Sequence, residues 1–414
     1  MYTLFRNYLA AMQPIPSFEP SFNRRLLTSA SAAFLIVIFM TGLAGALRIP
    51  ALTVFLHNEV TSDPMMVGLF YSINSLVSMI LSQIVAHFSD RYPNRKLIIS
   101  LSCLMQVFGC LLFAFNRDYY VLLILGTLIM GLGSSVTSQL FALSREYSKA
   151  QNRDTPMFNS VLRAQLSLAW IVGPPLAYFL SDQLGFTFMY SAAATIFAVS
   201  IIIVLLMLPQ VVSSDTKFAN SLEDEQIREE GITSNRNSVI LLSLACLLVW
   251  TCNSMMFINM PIYLSETLGL SNRLAGLMMG TAAAIEIPVM LIAGYFTRFI
   301  SKKTMMLIGI IAGICYYFGL ALATTEWQLI AIQLFNGLFI GILASIGMIY
   351  FQDLMPYKMG TATTLFSNTG SASWIIAGQL AGLMASHLGY HSTWYLAMGL
   401  CVVAFGFMWL VRKI

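Results

Sequence analysis

The chain runs to 414 residues, 58% of them hydrophobic and only 10% charged, with a net charge of +4 and a mean hydropathy of +0.77. So few charges cannot cover a water-facing surface of that size, which defines an integral membrane protein and sets nucleic acid aside as a partner. Six cysteines without Cys-x-x-Cys spacing and four histidines without ligand spacing give no disulfide frame, no metal site and no cofactor.

Crossing ~30 Å of hydrocarbon takes about 20 apolar residues. Runs of that length fall at 28–57, 65–88, 97–115, 119–144, 157–181, 187–209, 238–266, 273–297, 302–324, 327–351, 359–386 and 391–411. Six precede the acidic stretch 210–237 and six follow it. The expected fold is therefore an all-α membrane protein of twelve transmembrane helices, in an N-terminal bundle (1–209) and a C-terminal bundle (238–414) joined by a cytoplasmic linker (210–237). With both termini cytoplasmic, eighteen of the twenty-two Lys and Arg residues fall on the inner side, as the positive-inside rule requires. Ala44-Gly45-Ala46 resembles a signal cleavage site, but its apolar region is too long for a signal peptide, so span one is retained.

Taken in chain order, span one carries Arg48, which either lines a cavity or anchors the helix near the outer interface. Span two holds Asn74 and serines at close-packing spacing, then reaches Asp90, Arg91 and Arg95 at its inner end. Span four holds Gln139 and ends on Arg145-Glu146; span ten ends on Asp353. These inner-end charges form the expected cytoplasmic latch, a reversible one, since exposed ion pairs contribute ~0–1 kcal/mol each.

Span five carries Arg163 and Gln165, with Ser167, Trp170 and Pro174 on the Arg163 face. Span seven holds Asn253 and Asn259, span ten Gln333 and Asn336, and span eleven Trp374 and Gln379. Span eight places Glu286 in Ala-Ala-Ala-Ile-Glu-Ile-Pro, where loss of water favours the protonated carboxyl and Pro288 frees the carbonyl of Ala284. Glu286 is either a proton-exchanging group or a permanently neutral structural one. Arg163 either reaches Glu286 across the interface between bundles or snorkels to the surface. Amides outnumber charges within the spans, which favours a neutral polyol over an ionic substrate.

Residues 167–185 and 371–389 repeat one segment at an offset of 204, with seven identities in nineteen positions, among them Trp170/Trp374 and Gly185/Gly389. Arg145-Glu146 is matched by Gln352-Asp353 at an offset of 207. Six spans return each half to its starting side, so the copies run parallel, which is the major facilitator pattern.

The loop Ser89-Asp90-Arg91-Tyr92-Pro93-Asn94-Arg95-Lys96 resembles the cytoplasmic motif of the major facilitator superfamily, although Ala86 and Pro93-Asn94 depart from it. Gly173-Pro174-Pro175 resembles the motif of its exporter branch. The runs REY at 145, FNSVLRAQLSLAWIVGPPLAY at 158, AAIEIPVML at 283 and YFQDLMP at 350 are similar to the bacterial sugar efflux transporter family. That resemblance implies an exporter of small neutral sugars or glycosides in the bacterial inner membrane, working by alternating access against protons; a monomer is expected. Trp170 and Trp374 would then offer flat faces to a sugar ring, and Arg48, Asn74, Gln139, Gln165, Asn253, Asn259 and Asn336 would meet its hydroxyls. A drug/proton antiporter of the same fold is the alternative. An enzyme is not expected, because no phosphate loop or paired nucleophile and base is present.

Overall fold

The computed structural model describes residues 29–91, 94–151, 155–209 and 223–412. Among them there is no strand. The helices are α1 (Ser29–Phe55), α2 (Pro64–Arg91), α3 (Arg95–Phe115), α4 (119–150, interrupted), α5 (155–184), α6 (186–207), α7 (Glu223–Ile262), α8 (Arg273–Phe296), α9 (Lys302–Leu322), α10 (Glu326–Leu354, interrupted after Ala331), α11 (Met359–Leu388) and α12 (Ser392–Leu410).

Ten stretches among the described residues are long and apolar enough to cross a membrane. One of them, Phe158–Met207, has 50 residues and is broken at Gly185 into α5 and α6. Helix α11 falls outside the ten because its first half is polar, with Thr361, Thr364, Ser367, Asn368 and Ser371. Counting both limbs and α11 as crossings gives the twelve-span reading, adopted below as part of the proposed function. Of the linker expected over 210–237, residues 210–222 lie outside the described residues, and from Glu223 onward the chain already belongs to α7.

The sequence repeat reappears as matched backbone. Gly185 (φ 82°, ψ 164°) and Gly389 (φ 79°, ψ 161°) end α5 and α11 in the same conformation, one open to glycine alone. Asn94 caps α3 by accepting from the Leu97 amide, and Ser301 caps α9 by accepting from the Thr304 amide. Helices α1 and α7 both finish in a π-turn, Leu56–Val60 and Tyr263–Thr267. These turns mark one end of the molecule, here the π-turn end. The opposite, basic end carries Arg95, Arg145, Arg298, Lys302, Lys303 and Lys358.

Within the first half α1 packs along α5 and α6; within the second, α7 packs along α11 and α12. Two seams join the halves, α2 against α11 and α5 against α8. Both close tightly because glycine removes the side chain where backbones meet. A Cβ on Gly68 would lie 2.2 Å from the carbonyl oxygen of Gly378, and one on Gly276 would lie 2.8 Å from that of Pro174. The Ser72 hydroxyl also donates to the Ile375 carbonyl across the first seam (2.7 Å).

Candidate functional site

A cavity of about 290 Å³ opens between α5 of the first half and α7, α8 and α10 of the second. Its walls include Ser167 and Trp170, then Trp250, Asn253 and Phe257, then Glu286, and finally Asn336. The α5–α8 register explains why these residues meet. Gly280 faces the Ile171 carbonyl, and since the helices run antiparallel, six further residues along each bring Glu286 level with Gln165.

Glu286 has no hydrogen bond or ion pair among the described residues, and neither has Asn253 or Gln165. Asn336 donates to Gln333 Oε1 (3.0 Å), leaving its own Oδ1 buried without a partner, and the Trp250 indole N–H is likewise orphaned. Buried polar groups are normally satisfied by protein or water, so an unpaired carboxyl, amides and indole around one cavity mark a surface suited to a polar ligand.

The two repeat tryptophans meet through a residue that pattern reading missed. Phe257 lies 6.3 Å from Trp170 and 6.0 Å from Trp374, ring centre to ring centre, and Trp374 stacks on Tyr71 at 5.8 Å and 18°. The result is a continuous aromatic band, Trp170–Phe257–Trp374–Tyr71, that crosses from one half to the other and back. Phe257 was hidden because a lone phenylalanine in an apolar span carries no signal; only the equal separation of both tryptophans from α7 singles it out.

Several expected contacts lie elsewhere. Gln139 accepts from Ser89 (2.7 Å) and Arg95 (3.0 Å) inside the first half and is buried there, away from the cavity. Asn259 donates to the Ala381 carbonyl (3.1 Å) and Thr393 (2.8 Å), so it ties α7 to α11 and α12 instead of facing a ligand. Arg48 is not in the cavity wall: Nη1 approaches Met130 Sδ (3.1 Å) and Nε is buried without a partner. Asn74 is not in the wall either, but stands one turn from Tyr71 on the same face of α2. Arg163 does not reach Glu286 in this conformation; its guanidinium lies over the Phe141 ring at 5.4 Å.

Among the described residues no ion pair of the expected latch joins the halves at the basic end. Arg95 pairs with Glu146 (2.7 Å) inside the first half, and Lys302 pairs with Asp353 inside the second, two equivalents at the repeat offset of 207. Lys302 therefore has a specific partner, beyond its role in topology. Arg145 is exposed, and the side chains of Asp90 and Arg91 lie outside the described residues.

Among the described residues, the charged and polar side-chain pairs that cross between halves sit at the π-turn end instead. Arg273 binds Asp182 (Nε to Oδ2 2.7 Å), and His57 of one π-turn meets Glu266 of the other (2.7 Å). The Arg273 hydrogen bonds hold the exposed Asp182 carboxyl below its usual range. Toward the basic end the same seams are parted: Arg163 and Ala164 on α5 are exposed, as are Thr361, Thr364, Ser367, Asn368 and Ser371 on α11. A polar stripe on a membrane helix faces water or protein, not lipid, so this stripe lines an aqueous opening.

Together the closed π-turn end, open basic end and midway cavity define a carrier-type membrane protein. Residues 34–378 match the model of the Major Facilitator Superfamily. The chain is 46% identical over 391 residues to sugar efflux transporter A of Dickeya chrysanthemi, covering 94% of this chain and 98% of that protein. It is 45% identical over 372 residues to sugar efflux transporter B of Salmonella typhimurium, covering 90% and 93%. Among solved structures, the D323A mutant of the nucleoside transporter NupG superposes with a TM-score of 0.77 at 17% identity, covering 92% of this chain and 99% of that one. A bacterial homologue of the human lysosomal transporter Spinster, solved inward-facing and unoccupied, superposes with a TM-score of 0.68 at 14% identity, covering 92% and 95%. The chain belongs to the major facilitator superfamily and, within it, to the sugar efflux transporter family, whose members are transporters and not enzymes.

Proposed function

We propose that this chain exports small neutral sugars or glycosides across a bacterial inner membrane by alternating access, with a proton exchanged at Glu286. The observation that carries the reading is the cavity, where an aromatic wall and unpaired amides stand beside one unpaired carboxyl. Aromatic faces suit the C–H side of a sugar ring, and each hydroxyl entering a dry pocket needs a donor or acceptor waiting for it. The similarity to sugar efflux transporters A and B supports the same substrate class.

On this reading residues 1–209 and 238–414 are the two lobes, each of six spans, and 210–237 links them. The basic end and both termini are cytoplasmic, so the conformation is open to the cytoplasm and loads its substrate there. A single chain completes the cavity, and the monomer is the working unit. The lobes rock about the midpoint, parting the π-turns as the basic ends come together. A charged Glu286 holds water or a hydroxyl donor in the cavity; a protonated one lets the emptied cavity close and return. The proton taken from outside and released inside then drives sugar outward.

The methionine and aromatic walls (Met256, Met279, Phe257) favour one second reading, a drug/proton antiporter of the same fold. Transport competition separates the two. Lactose-sized glycosides should inhibit uptake into everted vesicles while lipophilic cations do not, and the reverse pattern would overturn the sugar reading.

A further inference from the structure

The cavity's unpaired polar atoms are unevenly divided between donors and acceptors. Acceptors comprise both oxygens of Glu286, Asn336 Oδ1, Asn253 Oδ1 and the Ser167 hydroxyl. The donors are the Trp250 N–H, the Asn253 amide and the same Ser167 hydroxyl. Among the described residues no Lys or Arg lines the cavity: Arg163 is turned onto Phe141 and Arg48 toward Met130. The single charge facing the ligand space among the described residues is thus an acid without a counter-ion, in a cavity whose wall also holds Trp170, Trp250 and Phe257. A carboxylate so placed is costly until a proton or a cation neutralises it, and aromatic faces add their own attraction for an ammonium group.

We infer that the cavity prefers amine-bearing sugars to their neutral parents, with the ammonium seated at Glu286 inside the aromatic wall. The inference rests on the sugar-export reading and extends its substrate class from neutral sugars to cationic amino sugars. Charge balances without a further partner: a protonated Glu286 gives up its proton as the ammonium arrives, so one cation replaces one proton. A neutral sugar brings no cation to take the proton's place. For an amine-bearing sugar, substrate and proton compete for one carboxylate, and antiport follows from occupancy of that single site.

The test uses purified full-length protein, glucosamine at a pH where its amine is charged, glucose as the neutral parent and N-acetylglucosamine as an uncharged derivative of the same position. Affinities come from calorimetry and proton release from a dye in weak buffer. Wild type should bind glucosamine about tenfold more tightly than either neutral sugar and release about one proton, more than either neutral sugar releases. The glucosamine-to-glucose ratio should collapse to near one in Glu286→Gln and survive in Glu286→Asp, whatever the absolute affinities. Equal binding of glucosamine and glucose by wild type, absence of proton release, or a ratio unchanged in Glu286→Gln would each overturn the inference while leaving the sugar reading intact. Wild type that binds none of the three sugars would remove that reading as well.

Discussion

At the scale of residues, the amides divide by what already occupies them. Asn259 is spent on two hydrogen bonds inside the second half, so Asn259→Ala should lower thermal stability by ~0.6–2 kcal/mol without changing substrate preference. Asn253 has no partner and faces the cavity, so Asn253→Ala should leave the melting temperature nearly unchanged and weaken sugar binding. Melting curves and binding titrations on the same samples check both, and a reversed pattern would refute the division. Phe257 touches both tryptophans of the band; Phe257→Ala should therefore impair sugar binding at least as much as Trp170→Ala. Glu286, Trp170 and Trp374 were legible because each breaks a pattern, either a charge in hydrocarbon or a tryptophan repeated at fixed offset. Gln139 and Asn259 read the same as Asn253 in the sequence, since an amide's use depends on which neighbour packs against it. Arg163 was ambiguous for a similar reason: its position beside Glu286 follows from the register, but the turn of its side chain onto Phe141 does not.

At the scale of elements, the seams α2–α11 and α5–α8 make the closed π-turn end a defined state. Gly68→Ala would drive a methyl group into the Gly378 carbonyl, an overpacking that costs ~1–3 kcal/mol. The penalty exists only while this end is closed, so the variant should shift the population toward the opposite conformation by about 5- to 150-fold. Accessibility of a cysteine placed at Thr364 on the polar stripe of α11 reads this out: labelling should fall in Gly68→Ala, and unchanged labelling would refute the seam's role. The Asp182–Arg273 bridge adds a pH term of known sign. Pairing lowers the Asp182 carboxyl, so it favours closure at pH above the ordinary value of 3.8, and the benefit disappears as pH falls through the lowered value. Asp182→Asn should remove that acid dependence while shifting the neutral-pH equilibrium only slightly, as befits an exposed pair.

At the scale of the whole molecule, hydropathy and repeat offset carried nearly all of the fold, because membrane spans are set by length and composition and the second half copies the first. The polar first half of α11 shows where composition falls short: a helix that lines an aqueous opening is less apolar than one that faces lipid. The state of the carrier was not legible at all. Of the charges expected to join the halves at the basic end, Arg95 and Glu146 pair with each other and Asp353 pairs with Lys302, each inside its own half. The placement of Asp182 beside Arg273 and His57 beside Glu266, with the tight glycine seams, reveals which end is shut.

The proposed function requires one carboxyl, Glu286, to couple sugar export to the proton gradient. Efflux of labelled sugar from preloaded proteoliposomes, with and without an imposed gradient, tests it for wild type and Glu286→Gln together. The gradient should accelerate efflux by wild type and have no effect on the residual exchange catalysed by Glu286→Gln. Full gradient-driven efflux by Glu286→Gln would contradict it.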